Sequence, residues 1–332
     1  MGVMTKYFLR RLVYLVLVFF MISVVIFFIY TLVPMDPVLN FMDANFTEDM
    51  NPILWRQIYD QVREDLGLDR PLHIQYFAWI SNMLRGNFGY SMMYRRPVAE
   101  VIPAPLRNTV MLNILNLVIV FIIAIPLAVR SAVKRGSVFD NATQVGTVVF
   151  DSLPTFITAI LVMLLFAVVL QWFPMTGMAT PGFQGTTWEM IQDRARFMVL
   201  PLITMVIGGM AGITRYIRAA MIEVLSQDYI RTARAKGAKE RYVIYVHALK
   251  NAQIIIIQIM AGWFLGIFSG SLMIERIFMW NGMGDLLVRS VFAQDFMVIF
   301  TIQMFFITIG LFGFFIIDIL FAILDPKIKL NE

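Results

Sequence analysis

The 332-residue sequence has no cysteine, which excludes disulfides, thiolate metal sites and a cysteine nucleophile together. Its two histidines, His73 and His247, stand far apart with no metal-ligand or catalytic partner evident in sequence, so a histidine-rich metal centre is not expected. No G-x-x-x-x-G-K-[ST] loop occurs, so the chain lacks the backbone cradle and lysine that hold nucleotide phosphates. G-x-S-x-G and H-E-x-x-H are also missing, which removes the usual hydrolase elbow and zinc-protease helix. Charge is scarce, at 15% of residues, where soluble domains carry roughly a quarter. There is no repeat at fixed period, no low-complexity segment and no inverted pair of Gly/Pro-broken spans of the kind found in many secondary transporters.

What remains is apolar. Hydrophobic residues make up 59% of the chain, and the mean hydropathy is +0.76. A water-solvated core has no room for so much apolar surface, so lipid must be the solvent for much of it. Crossing about 30 Å of hydrocarbon takes roughly 20 helical residues. Six segments approach or exceed that length: Leu12–Val33, Thr109–Val129, Val148–Leu170, Met198–Ile217, Ala252–Ile274 and Met297–Leu324. The expected fold is an all-α integral membrane protein with six transmembrane helices and a small external helical region. Lys6, Arg10 and Arg11 before the first span resemble a signal peptide, but the apolar run is too long and no small-residue cleavage site follows. The segment is expected to stay as an anchor.

Orientation follows from the basic residues on alternate sides. The N-terminus, the Arg130–Asn141 loop, the Thr214–Asn251 loop and the C-terminus hold 16 of the 27 lysines and arginines but only six of the 22 acidic residues. Both termini are therefore expected in the cytoplasm. The pI near 9.4 then reports topology rather than nucleic-acid binding. Residues 1–33 form the N-terminus and first span, 34–108 an external cap, 109–324 a five-helix core with a cytoplasmic loop at 214–251, and 325–332 a tail. In the cap, Trp55, Ile58, Tyr59, Val62 and Leu66 recur at helical spacing before Gly67, and a second helix follows Pro71 and stops at Gly86. External loops are expected at Gln171–Phe197 and Glu275–Phe296, the latter apolar enough to dip into the membrane rim.

Few residues inside the spans carry chemistry. Asp318 lies about 10 Å from the end of its helix, within reach of water or of an arginine on a neighbouring helix. Asp151 precedes Pro154, which should kink its helix, and either lines a polar pathway or pairs structurally. Gly262, Gly266 and Gly270 repeat every four residues and are expected on one face; Gly208 and Gly212 have the same spacing. Such glycines let backbones approach closely in lipid, as packing, a subunit seam or a narrow path. In the cytoplasmic loop, Ser226 or Asp228 can cap a helix starting near Tyr229, with Tyr229, Ile230 and Ala233 as its apolar face. Gly237 can end it in the left-handed conformation. A second helix with Tyr242, Val243, Tyr245, Val246 and Leu249 then leads into the fifth span. From the residues alone, a basic connector that merely obeys the positive-inside rule is the favoured reading, because sequence cannot show what a short capped helix docks against.

The stretch Asp228–Gly237, DYIRTARAKG, followed by His247–Leu249, HAL, resembles the cytoplasmic coupling loop of binding-protein-dependent ABC importer permeases, in particular the oligopeptide/dipeptide/nickel class. In the family's EAA-x3-G pattern, Arg231, Thr232 and Ala233 take the EAA places and Gly237 the glycine. The chain departs from the general form in lacking the acidic residue at Arg231 and in having Lys250 where many relatives carry proline; the RTARAKG form is typical of the peptide class. Weaker similarities run along Gly86–Gly89, Pro97–Val98, Asn108–Val110, Ile125–Leu127, Leu153–Phe156, Gly270–Glu275, Gly282–Gly284 and Asp325–Lys327. The resemblance implies a type I ABC importer permease fold in a bacterial or archaeal cytoplasmic membrane. It implies that Asp228, Tyr229, Ile230, Arg231, Thr232, Ala233, Arg234, Ala235, Lys236, Gly237 and His247 couple the chain to ATPases. It further implies a homologous second permease, two ABC ATPase subunits and an external substrate-binding protein, with ATP and magnesium on the partners and no catalysis or cofactor on this chain. Peptides are the expected solute, with nickel or oligosaccharides as alternatives inside the class. An ion- or proton-coupled secondary transporter is the rival from another class, and it needs more buried titratable residues than Asp151 and Asp318. A structural or sensory membrane protein would leave the loop unexplained.

The charge distribution predicts that tags at Gly2 and Glu332 are shielded from outside in intact cells while one at Asn45 is reached; a shielded Asn45 would invert the topology.

Overall fold

The structure is a computed structural model that describes residues 3–32, 38, 51–65 and 67–324. Val33, Pro34–Pro37, Asn45, Leu66 and Asp325–Glu332 lie outside the described residues. Long apolar runs without water to bond their backbones satisfy every N–H and C=O internally, as helices. Among the described residues, four helices are long and apolar enough to cross a membrane, and the number is six if each of two bent helix pairs counts as one span. By packing, the chain divides into two compact units, residues 1–104 with 287–332, and residues 105–286.

In the first unit, α1 (Val3–Leu32) packs along α14 (Phe296–Leu324). Ile26, Ile80, Phe300 and Met304 form its core. Asp318 meets Arg11 at 3.2 Å, the arginine partner expected for an acid inside a helix. The amphipathic stretch before Gly67 forms α2 (Pro52–Asp65), and the next α3 (Leu72–Leu84). Tyr76 of α3 shares a 2.8 Å hydrogen bond with Ser23 of α1. The segment read as wholly helical also contains a small hairpin, β1 (Tyr90–Ser91) with β2 (Arg96–Pro97), before the short α4 (Val98–Val101). Ser91 Oγ and the Met93 N–H donate to Asp295 at 2.5 and 3.1 Å, so a carboxylate distant in sequence stabilises a turn that local periodicity does not announce.

The second unit contains α5 (Pro103–Val133, from Pro105 onward), α6 (Val138–Ser152) and α7 (Thr155–Met163), which continues as a π-helical turn to Val169. Then come α8 (Thr187–Leu225), α9 (Asp228–Ala235), α10 (Glu240–Tyr242) and a π turn at Val243–Ala248. α11 (Leu249–Leu265) passes into a 3-10 turn at Gly266–Phe268, followed by α12 (Leu272–Ile277) and α13 (Met283–Phe292). α8 is the hub: α6, α7, α11 and α12 all pack against it.

Four expectations change. Pro154 does not kink the third span but separates α6 from α7 at 102°, because proline removes a donor and restricts the residue before it. The fourth helix is not confined to Met198–Ile217. It starts at a capping box in which Thr186 and Glu189 satisfy each other's backbone N–H groups, and it runs on to Leu225. The fifth helix ends at Leu265, so Gly262, Gly266 and Gly270 do not share one helical face; Gly270 lies beyond the 3-10 turn. The supposed loop Glu275–Phe296 is mostly helical, and Trp280 is fully buried within the protein.

That burial comes from a knot around Glu275, whose side chain is 1% exposed. Thr109 Oγ1 donates to its Oε1 at 2.8 Å, and the Gly284 and Asp285 N–H groups donate to Oε2 at 2.7 and 3.1 Å. Met283 N–H donates in turn to Thr109 Oγ1 at 2.8 Å. A Cβ on Gly282 would lie 2.5 Å from both Glu275 Oε2 and Thr109 Oγ1, and one on Gly270 would collide with the Gly284 backbone. Beside the knot, Asn108 donates to the Asn281 carbonyl at 2.7 Å and accepts from Arg194 at 2.7 Å, while its own carbonyl accepts from the Trp280 indole. Burial pushes the Glu275 pKa above its ordinary 4.5, against the lowering effect of the Thr109, Asp285 and Gly284 donors.

Glu275→Ala strands three buried donors and is expected to lose about 3–5 kcal/mol; Glu275→Gln keeps an acceptor and should lose much less. Because the folded pKa is raised, the carboxyl favours the fold most below pH 4.5, and this contribution falls as pH rises through the folded value. Thermal unfolding in detergent checks both points: equal losses in the two variants, or a Gln variant whose pH dependence is unchanged, would remove Glu275 from this role.

Candidate functional site in the connector between two long helices

At about 1.5 Å per residue, the 39 residues of α8 make a rod of about 58 Å, nearly twice the hydrocarbon thickness. Its last turns therefore project out of the apolar layer and hold the connector away from it. Both arginines on this projecting part are paired. Arg215 forms an ion pair with Asp151 of α6, so Asp151, one of the candidate pathway residues, is held by a partner. Arg218 grips Asp140 with two parallel bonds, Nε–Oδ1 and Nη2–Oδ2, each 2.6 Å. Asp140 also accepts from Ser131 Oγ and, at 2.9 Å, from the Gly136 N–H. This cluster joins the end of α5, the start of α6 and the shaft of α8. Sequence reading missed it: Ser137-x-x-Asp140 signals a helix start, but nothing local pairs Asp140 with a residue 78 positions later.

Beyond Leu225 the chain turns through Ser226 and Gln227 into α9. The residue at the N-cap is Gln227, without a side-chain cap, rather than Ser226 or Asp228. Ser226 is the helical C-cap of α8, its hydroxyl donating to the Glu223 carbonyl at 2.7 Å. Ile230 is completely buried, against a core that includes Val243, Ile244 and Ala248, with Ala233 partly covered beside it. The face of α9 directed at its own chain is therefore Ile230 and Ala233, and Tyr229 belongs to the opposite side, 44% exposed. Asp228, Arg231, Thr232, Arg234, Ala235 and Lys236 are exposed with it. An eight-residue helix anchored by one isoleucine presents a polar, aromatic-tipped outer face.

Its exit is fixed by the backbone. Gly237 has φ +82°; its N–H donates to the Arg234 carbonyl at 2.9 Å, and the Ala238 N–H to that of Ala233 at 3.2 Å. These two bonds around a left-handed residue make a Schellman motif. Arg234 then reaches across the turn to Glu240 with bonds of 3.1 and 2.7 Å. The pair is half-exposed, so its contribution to stability is small, but its two-pronged geometry fixes the angle between α9 and α10. His247, in the following π turn, meets the Tyr242 ring edge-on at 5.2 Å. The structure thus brings residues 228–237 and His247 into one connector.

The glycines chosen as a seam behave differently. A Cβ at Gly208, Gly212, Gly262 or Gly266 would meet no atom within 4 Å. The close approach between α8 and α11 is at Gly209, where a Cβ would lie 2.5 Å from the Trp263 ring. Sequence spacing could not distinguish two adjacent glycines.

Residues 124–330 match the family described as the binding-protein-dependent transport system inner membrane component, and residues 4–113 match the N-terminal region of such components. The chain belongs to this family. It is a multi-pass inner membrane permease of ABC importers, a class whose members work with other ABC components. It is 35% identical to the oligopeptide transport system permease protein AppB of Bacillus subtilis over 98% of this chain and all of the relative. A putative peptide permease protein of Brucella suis is 34% identical over 99% of this chain and all of its own. The glutathione transport system permease protein GsiC of Escherichia coli K12 is 34% identical over 98% of this chain and 99% of its own. In this permease, the connector lies between α8, which the Asp140–Arg218 cluster ties to α5 and α6, and α11, which meets α8 at the Gly209–Trp263 contact.

Asp140→Ala leaves the arginine fork inside with no carboxylate, and is expected to destabilise the permease by about 3–5 kcal/mol. The double variant with Arg218→Leu should recover part of that loss. Melting of the purified permease measures both; a double variant as unstable as the sum of the singles would mean that the two residues act separately.

Proposed function

We propose that this chain is half of the membrane pathway of an ATP-driven peptide importer, and that its α9 connector receives force from ATPase subunits. The reading rests on one observation above others: α9 is held by a single buried isoleucine and a Schellman turn between two spans, and among the described residues nothing packs over its outer face. A docked ATPase can therefore move α9 only by moving α8 and α11 with it. The full-length relatives are peptide and glutathione permeases, which favours peptides over nickel or oligosaccharides. A homologous permease would complete the pathway, an external binding protein would deliver solute, and ATP with magnesium would be held by two partner ATPases. The connector side, with both termini, would face the cytoplasm. Under this division of labour Asp228, Tyr229, Arg231, Thr232, Arg234, Ala235 and Lys236 form the docking face, Ile230 and Ala233 position it, and Gly237 sets its exit. Coupling is then a two-state element biased by nucleotide.

Gly237→Val separates coupling from folding. A Cβ there meets no atom within 4 Å, so its cost is backbone strain alone, roughly 1–2 kcal/mol. The variant should insert and assemble normally, yet lose transport and substrate-stimulated ATPase activity in the reconstituted complex. Ala233→Glu should uncouple too, by lifting α9 off the Ile230 core. Wild-type transport by complexes carrying both substitutions would reduce the connector to a structural link.

A further inference from the structure

Between α5 and the end of α11 lies an open cleft of about 340 Å³, lined by Asn113, Asn116, Leu117, Gly262, Trp263 and Gly266 among others. Asn113 and Asn116 are ten and thirteen residues into α5, about 15–20 Å from its start, well inside a helix that qualifies as a span. Asn113 is committed to structure: its amide donates to the carbonyls of Ile267 and Ser269 at 2.9 and 3.0 Å, beyond the last turn of α11. Asn116 is not. It is 7% exposed, and its Oδ1 is buried without a hydrogen-bond partner among the described residues. At membrane depth an unpaired amide is costly, and buried polar atoms without partners call for an explanation. The opposite wall is bare, since a Cβ at Gly262 or Gly266 would meet nothing within 4 Å. The floor is rigid: Trp263 is wedged against Gly209 and lies edge-on to Phe121.

We infer that this cleft is a subsite of the solute path that takes a backbone amide of a passing peptide, with the Asn116 carboxamide as its contact and Asn113 as a positioning residue. The inference rests on the peptide-import reading above. No lining residue is charged, so the site suits a neutral donor–acceptor group and not a peptide terminus or a lipid phosphate. The carboxamide offers an acceptor and a donor, the complement of a peptide unit, and the glycines leave room for side chains of any size.

The cysteine-free sequence makes the test direct. In the complete complex reconstituted in liposomes, a single cysteine at Gly266 should react with a membrane-impermeant thiol reagent during ATP-driven cycling, and trialanine should slow that reaction. A cysteine at Ile122, strongly exposed on an apolar span and outside the cleft, should stay unreactive and leave transport unchanged. Asn116→Leu should raise the KM for trialanine roughly five- to tenfold, the loss of one hydrogen bond, and leave the KM for trialanine N-methylated at its central amide unchanged. An inert Gly266 cysteine, labelling that trialanine does not slow, or an equal KM change for both peptides would overturn the subsite. Failure of the wild-type complex to transport any di- to pentaalanine would instead refute the peptide-import reading, whereas transport past an unprotected cleft would overturn the subsite alone.

Discussion

Hydrocarbon offers no hydrogen-bond partner, and most features of this permease follow from the requirement that each polar group in or near it find one inside the chain. The backbone meets the requirement by coiling. The side chains meet it in pairs that join helices: Arg11 with Asp318, Arg215 with Asp151, and Arg218 with Asp140. Where the chain stops being helical, at the turns around Gly270 and Gly282, the Glu275 carboxyl and Thr109 take up the released N–H groups. Polar residues are few here, and most of those inside carry a specific bond.

The same requirement shapes the machinery for motion. Movement in a membrane protein is least costly when packed helices shift as bodies and their internal bonds survive. The connector suits that kind of movement. α8 extends past the apolar layer as an unbroken rod, its end is braced by Asp140 and Asp151, and α9 follows after only two residues. Gly237 and the Arg234–Glu240 bonds set the second corner. Under the proposed coupling, a displacement of α9 would pass to α8 and α11 with little slack in between. The contact of Trp263 with Gly209 links those two helices again at membrane depth, beside the cleft that Asn116 lines.

Several features legible in the chain held because they depend on local chemistry. Apolar length announced the spans, and helical periodicity with glycine stops announced α2 and α3. RTARAKG identified the connector, and Gly237 has the left-handed conformation that a helix ending at that point requires. Errors arose where two remote segments compete for one residue. Ser226 is a good cap by type, but the last turn of α8 claims its hydroxyl. Ala233 belongs to an apolar stripe, but only packing on Val243 and Ile244 shows that the stripe faces inward. Gly208 and Gly212 stay open on the surface of this chain, and the contact with the Trp263 ring, which no spacing announced, is made by Gly209.

The sequence by itself therefore determined that this chain lives in lipid, that it is helical, which family it resembles and which ten-residue stretch leaves the membrane between two spans. Each of these rests on apolar length, turn chemistry or a contiguous motif, and all three are written in neighbouring residues. Tertiary structure alone decided that Asp151 is paired, that Asp140 closes on Arg218, that Glu275 holds Gly282–Gly284 beside Thr109, and that Asn116 Oδ1 has no partner among the described residues. Those outcomes depend on which side chains meet across tens or hundreds of positions, and one-dimensional spacing does not contain that distance.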